Sequence, residues 1–213
     1  MLSYDDIVAN LEDAWVAAGL HEHALVENFQ PETFERSYRV ELFPEHDDVL
    51  SEDTTPPWVE VSFLWTAANQ VLSEGRDLDD EDPLDISWTY MVLVHMGLRD
   101  RSDSDLVQMF QRAVSRALRR FYAGEAEASI NVPVEVRRVY HSNEQGRPQL
   151  SYVQLVSSNI TNLLDQWDFQ DSGALRRVIR NEVTLAGAII QALRDTFNTN
   201  TRNSNTYRPV DTA

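Results

Sequence analysis

Residues that could carry covalent or phosphate chemistry are scarce in this sequence. Lysine and cysteine are both absent, so all eighteen basic residues are arginines. Without an ε-amine there is no Schiff base and no P-loop lysine, and without a thiol there is no cysteine nucleophile, disulfide or thiolate metal ligand. The motifs G-x-S-x-G, H-E-x-x-H and G-x-G-x-x-G do not occur either. We therefore expect a protein that is not an enzyme and that uses no cofactor.

Two short segments resemble metal sites but lack ligands that such sites require. Residues 21–23 (HEH) place two imidazoles on one strand-like face without a third ligand. In residues 77–82 (DLDDED) the carboxylates alternate as in a calcium loop, but Asp82 stands where the sharp turn needs glycine, and no glutamate closes the loop. We predict exposed histidines at the first segment, a solvated loop at the second, and no bound metal at either.

Arginines form the most distinctive charged pattern. Four of them fall on the polar arc of an amphipathic helix, and two more lie on a later strand: Arg112, Arg116, Arg119, Arg120, Arg137 and Arg138. One interpretation is a solvated helix face that pairs with acidic neighbours of the same chain. A second is a subunit interface, in which the stripe docks on an acidic patch of a second copy. A third is contact with nucleic acid.

The charge balance limits the partners of the whole chain. Thirty-five acidic residues against eighteen arginines give a net charge of −17 and a pI near 4.5. Such a surface repels nucleic acid and anionic membranes over most of the molecule. A high-GC genome and a salt-loving host both account for arginine in place of lysine. No signal peptide and no apolar run of membrane-spanning length is recognisable, so we expect a protein that is made in the cytosol.

Hydrophobic periodicity predicts the elements that position these residues. Ser3 and Asp6 form a capping-box pair ahead of a first helix. The other predicted elements are strands at 37–43, 58–65 and 86–96, a helix beginning near Ser102, a hairpin at 130–158, and a helix beginning at residue 171 or 172. The predicted fold class is α+β, a mostly antiparallel sheet of about four to five strands packed by two helices, with a helical C-terminal extension.

The residue pattern changes after residue 157, from strand-like alternation to a helical segment and an Asn- and Thr-rich tail, and this change predicts two regions. We expect residues 1–157 to form the α/β core, and residues 158–213 to form a C-terminal helical arm and flexible tail. The apolar residues of the arm need a partner surface, so we predict that Trp167, Leu175 and Ile179 contact a neighbouring subunit.

The order of elements in residues 1–157 resembles that of the tail-terminator proteins of long-tailed phages and archaeal tailed viruses. The resemblance rests on three segments: PPWVEVSFLW, the strand running into a capped helix in DISWTYMVLVHMGLRDRSDSDLVQMFQRAVSRAL, and the hairpin VEVRRVYHSNEQGRPQLSYVQLV. It implies a structural virion protein, assembled in the host cytoplasm, that forms a usually hexameric ring between the tail tube protein and the head–tail connector.

That resemblance also assigns a role to the acidic loop. DNA would pass through the ring without specific binding, and the loop would face the channel or the adjoining ring through its carboxylates Asp77, Asp79, Asp80, Glu81 and Asp82. Two alternatives stay open. One is a neck, stopper or head–tail adaptor protein of the same particle, and the other is an acidic soluble binding module or assembly chaperone.

Overall fold

The computed structural model describes residues 3–44, 55–67, 69, 85–122, 132–162 and 172–197. These residues form an α+β fold in which three α-helices cover one face of a six-stranded antiparallel sheet. The predicted fold class is confirmed, with one strand and one packed helix more than expected.

The first helix, α1 (Tyr4–Ala17), begins at the predicted capping box. The Ser3 hydroxyl accepts a hydrogen bond from the Asp6 backbone N–H at 3.2 Å, and the Asp6 carboxylate accepts one from the Ser3 N–H at 2.8 Å. Gly19 follows the helix at φ +68°, a left-handed conformation that glycine adopts without strain. This turn sends the chain directly into the first strand.

Six strands form the sheet, in the spatial order β1-β2-β3-β4-β6-β5. Every neighbouring pair is antiparallel. The strands are β1 (Leu20–Gln30), β2 (Glu35–Pro44), β3 (Trp58–Trp65), β4 (Asp85–Leu93), β5 (Glu135–Ser142) and β6 (Pro148–Asn162).

Alternation along the central strands separates a covered face from an open one. In β3 the residues Val59, Val61 and Phe63 are buried, whereas the intervening residues are partly or fully exposed, and β4 repeats the pattern. Because successive side chains of a strand point to opposite faces, the buried set lies under the helices and the other set faces solvent. We call these the covered face and the open face.

The helix layer has the C-terminal helix in its middle. Helix α2 (Asp103–Phe121) contacts β5, α1 contacts β1, and α3 (Ser172–Phe197) contacts both of these helices and strands β2, β3 and β4. Gly187 of α3 lies close to α1, since a Cβ built there would be 3.4 Å from the carbonyl oxygen of Ala18. A Cβ at this position would make ordinary van der Waals contact with Ala18.

The structure corrects the predicted division of the chain. Residue 157 lies inside β6, and α3 contributes buried side chains to the same hydrophobic core as the sheet. Residues 172–197 are therefore part of the core and do not form an arm. The predicted tail, residues 198–213, lies outside the described residues.

Two strand predictions also need correction. Strand β1 was not predicted, because only Leu20 among its eleven residues is buried and an apolar alternation is therefore missing. Strand β4 ends at Leu93, before the predicted end at Met96. Beyond it, His95 caps a short 3₁₀ turn (Met96–Leu98) and accepts a hydrogen bond from the Gly97 N–H at 3.2 Å.

Candidate assembly surfaces

The outer strand β1 exposes apolar side chains along one free edge of the sheet. Leu25, Val26 and Phe29 are 39%, 40% and 54% exposed, and among the described residues β1 pairs only with β2. A long edge strand with unpaired backbone groups and apolar side chains is a template for pairing with another chain. Sequence reasoning missed this surface because it missed the strand.

At the tip of the β1–β2 hairpin, Phe34 is held in an unusual backbone conformation. Its φ is +56°, and its side chain is 68% exposed. A bulky residue in the left-handed region is uncommon, because its Cβ crowds the backbone there. The hairpin thus presents an aromatic ring to solvent at the expense of local strain.

Behind that tip, Arg36 lies among aromatic rings. Its guanidinium carbon is 5.2 Å from the ring centroid of Tyr4 and 5.5 Å from that of Phe29, and one guanidinium nitrogen is 3.8 Å from the Asp5 carboxylate. Cation–π attraction over two rings holds the side chain against the hairpin. A cavity of about 460 Å³ opens between this group and Phe34.

The predicted arginine stripe lies on α2 as expected, and all four of its side chains are exposed: Arg112, Arg116, Arg119 and Arg120. Arg116 donates a hydrogen bond to the Thr196 hydroxyl of α3 at 3.2 Å. The opposite arc of α2 is buried, including Leu106, Phe110 and Val114. The helix therefore turns its cations outward, and the structure leaves all three interpretations of the stripe open.

The two arginines of β5 differ from each other. Arg138 donates three hydrogen bonds within the chain, to the Asp103 carboxylate at 2.9 Å and to the carbonyl oxygens of Arg99 and Arg101 at 2.9 and 2.8 Å. Its guanidinium ties β5 to the start of α2, which removes it as a candidate for subunit contact. Arg137 is exposed and pairs with Glu135 on the same strand at 2.8 Å.

Two of the predicted interface residues are buried inside their own chain. Leu175 and Ile179 are 0% and 1% exposed, because the apolar stripe of α3 packs into the core. They cannot contact a neighbour in this conformation, so their assignment to an interface is corrected. Trp167 and the acidic loop residues Asp77, Asp79, Asp80, Glu81 and Asp82 lie outside the described residues.

A second cavity, of about 250 Å³, lies between the covered face and the helices α2 and α3. Its lining includes the polar residues Tyr90, Ser157, Ser158, Asn159 and Glu182. The Ser157 hydroxyl donates a hydrogen bond to the Pro133 carbonyl oxygen at 2.8 Å. Burial, with a smaller contribution from Glu182, raises the pKa of Tyr90 above its ordinary value. The hydroxyl of Tyr90 is therefore neutral at physiological pH.

Within the described ranges, no group of three or more His, Asp or Glu side chains is arranged to hold a metal ion. His21 and His23 instead lie beside the Phe43 ring on the open face, with centroid distances of 6.2 and 4.9 Å. None of the helices in the described part of the chain is long and apolar enough to cross a membrane.

Comparisons of this chain with protein-family models, with curated proteins and with solved structures each found no match.

Proposed function

We propose that this chain is a structural virion protein whose copies form a ring that caps the tail tube and joins it to the head connector. The observation that carries the proposal is the shape of the sheet. It has six antiparallel strands, helices on one face only, and a free edge on each side among the described residues. The order of elements in the sequence supports the tail-terminator assignment within this class.

An even number of antiparallel strands suits a ring. In such a sheet the two outer strands run in opposite directions. When copies are related by rotation about the ring axis, every strand keeps its direction relative to that axis. β1 of one copy and β5 of the next then meet as antiparallel neighbours. The covered face of every copy then stays on the same side of the ring. A closed sheet also removes both free edges.

The open face would line the channel of this ring. Its central part carries small hydroxyl side chains, with Ser62 paired to Ser87 and the Thr89 hydroxyl 3.0 Å from that of Ser158. The arginines Arg39 and Arg137 of this face each lie beside a carboxylate, Glu60 at 3.9 Å and Glu135 at 2.8 Å, so they do not form the kind of cation cluster that holds phosphates. DNA would therefore pass along this face without specific binding, as the overall charge of −17 also favours.

Native mass spectrometry and electron microscopy of the purified protein test the proposal. We expect closed rings in solution, and in virions we expect the same ring at the head-proximal end of the tail. A discrete monomer at all protein and salt concentrations, with no ring in any particle, would overturn the ring-forming function.

The alternatives predict different results. A neck, stopper or adaptor protein of the same particle would also form a ring, but at another level of the head–tail junction, which electron microscopy of the particle resolves. A binding module or assembly chaperone would be a monomer or dimer. Such a protein could not use the apolar stripe of α3 for a client, because Leu175 and Ile179 are buried in the core.

A further inference from the structure

The two sides of the molecule carry opposite charge. We call α1 and β1 together the β1 flank, and α2 and β5 together the β5 flank. Residues 4–30, which include the β1 flank, contain six carboxylates and no arginine. The β5 flank contains six arginines and three carboxylates, namely Asp103, Asp105 and Glu135. In a chain with a net charge of −17, an excess of cations on one flank is a local exception.

These flanks lie at opposite ends of the sheet. Strand β1 and strand β5 are the two outer strands, and each pairs with one neighbour among the described residues. Helix α1 contacts β1, and helix α2 contacts β5. Each end of the molecule therefore offers a free strand edge with a helix beside it, and the helices differ in charge.

The register of the sheet shows that the two edges are staggered. Following the paired residues across it from the centre of β1 gives the row Leu25, Val40, Val61, Trp88 and Asn159. Extending the pairing of Glu135 with Val156 places Asn159 level with residue 132. The centre of β5 lies six to seven residues beyond that level, which is roughly 21 Å at the rise of a strand.

This stagger has a consequence for closure. Six strands span roughly 29 Å at the usual spacing, so an offset of 21 Å per copy corresponds to strands tilted by roughly 37° from the ring axis. Closed β-barrels tilt their strands by about 35–45°. If β1 of one copy overlaps β5 of the next along its full length, the strands therefore have a tilt in the range of closed barrels.

We infer that copies of this chain join head to tail, with the β1 flank of one copy against the β5 flank of the next. The inference rests on the proposed ring and names its joint. In it, the unpaired backbone groups of β1 bond to those of β5, the exposed apolar residues of β1 are covered, and the acidic side of α1 approaches the arginine stripe of α2. Joining two β1 flanks would instead place the six carboxylates of one copy against the six carboxylates of another.

Full overlap also limits the register. The open-face residues of β1 after its bulge include Ala24, Val26 and Asn28, and those of β5 include Glu135, Arg137 and Val139. A continuous sheet requires open-face residues to meet open-face residues, because a slip of one residue reverses every side chain. At the stagger above, Ala24 faces Val139 of the next copy.

Engineered disulfides test this joint directly, because the chain has no cysteine of its own. The double variants Ala24→Cys with Val139→Cys, and Asn28→Cys with Glu135→Cys, bring two thiols together only where β1 meets β5 in this register. On mild oxidation we expect either double variant to give a ladder of covalent oligomers on a denaturing gel. Each single-cysteine variant is the control and should stay monomeric on that gel. Cross-linking of single variants would show that like edges meet, which overturns the inference.

Charge reversal tests the helices of the joint. The variant Arg112→Glu/Arg119→Glu should weaken ring assembly by at least about tenfold in protein concentration. It spares Arg116, which bonds to Thr196 of α3. The matched control, Arg177→Glu/Arg180→Glu, makes the same charge change on exposed positions of the middle helix α3 and should change assembly less than about twofold. Equal effects of the two double variants would count against the joint. Circular dichroism would confirm that both variants are folded.

Mixing variants separates failure of the joint from failure of the ring. A second variant, Asp5→Arg/Glu12→Arg/Asp13→Arg, replaces three of the four carboxylates of α1 by arginines and so makes this helix basic. Neither reversed variant should form rings alone, but an equimolar mixture should form alternating rings, because an acidic helix then meets a basic one at every joint. If the unmodified chain forms no ring, the proposed function fails. If it forms rings that both reversals leave intact, only the inferred joint fails.

Discussion

At the scale of single residues, Arg138 was predicted to contact another subunit, but it bonds to three residues of its own chain. Its guanidinium has donors in a fixed planar arrangement, and three of them reach acceptors in the segment between the end of β4 and the start of α2. Its side chain is 24% exposed, compared with 49% for Arg137. The difference follows from strand alternation, since Arg138 points to the helix side and Arg137 to the open face.

We expect Arg138→Ala to lower the free energy of unfolding by about 1–3 kcal/mol, because two backbone carbonyls and Asp103 lose their donor. Arg138→Lys should recover only part of this loss, since an ammonium cannot reproduce the planar fork. Arg137→Ala is the control and should leave stability unchanged. Urea denaturation measures all three, and equal stability of Arg138→Ala and Arg137→Ala would contradict the assigned role.

At Phe34, in contrast to Arg138, we expect a substitution to stabilise the fold. Phe34→Gly should raise the free energy of unfolding by about 0.5–1 kcal/mol, because glycine adopts φ +56° without strain and the ring is exposed. Gly146→Ala is the converse variant at φ +72°, where a Cβ would meet no atom within 4 Å. It should lose about 1 kcal/mol through the backbone alone. Thermal unfolding would reveal a destabilised Phe34→Gly chain if the ring instead packs on the fold.

The Ser3–Asp6 capping box predicts a pH dependence. Hydrogen bonds from the Ser3 hydroxyl and N–H lower the pKa of Asp6 below its ordinary value of 3.8. A carboxylate with a depressed folded pKa stabilises the fold above its unfolded pKa and loses that contribution as the pH falls through the folded value. We expect Ser3→Ala to raise the pKa of Asp6 towards 3.8 in an NMR titration. The difference in unfolding free energy between the unmodified chain and Ser3→Ala should narrow in acid. It should not vanish, because the bond from the Asp6 N–H to the Ser3 hydroxyl does not titrate. A difference that widens in acid would refute the assignment.

At the scale of elements, the sequence predicts those segments whose pattern depends on burial. β3 and β4 alternate, α2 has one apolar arc, and α1 has its cap, so all were recognisable. β1 was not, because an edge strand exposed on both faces needs no apolar period. The place of α3 also could not be predicted, since an apolar stripe shows that a helix has a partner and not which partner it has.

Truncation tests the place of α3. A chain that ends at residue 162 keeps all six strands but loses Leu175, Ile179 and Val183 from the core. We expect it to lose cooperative unfolding, because the covered face would be left exposed to water. The point variant Ile190→Ala should cost about 2–5 kcal/mol in the full chain, whereas Thr184→Ala, at an exposed position of the same helix, should cost far less. A stably folded truncated chain would restore the separate arm.

At the scale of the whole molecule, the distribution of charge matters more than its total. A net charge of −17 makes each copy repel every other copy at long range, whereas arginines concentrated on the β5 flank give one short-range attraction. Screening by salt weakens the long-range repulsion first, because exposed charges separated by more than a Debye length are screened most. Assembly is therefore best compared at several salt concentrations.

The same charge makes the stability of a single copy depend on salt. We expect the thermal unfolding temperature to rise as sodium chloride increases from 0.1 M to about 2 M, because counterions screen the repulsion among thirty-five carboxylates. A variant with fewer carboxylates, Glu12→Gln/Asp13→Asn/Glu22→Gln, should start from a higher unfolding temperature and gain less from salt. Sucrose is the control, since it favours the compact state without screening charge. Equal salt gains in the two proteins would show that the salt acts through exclusion from the surface and not through screening of these carboxylates.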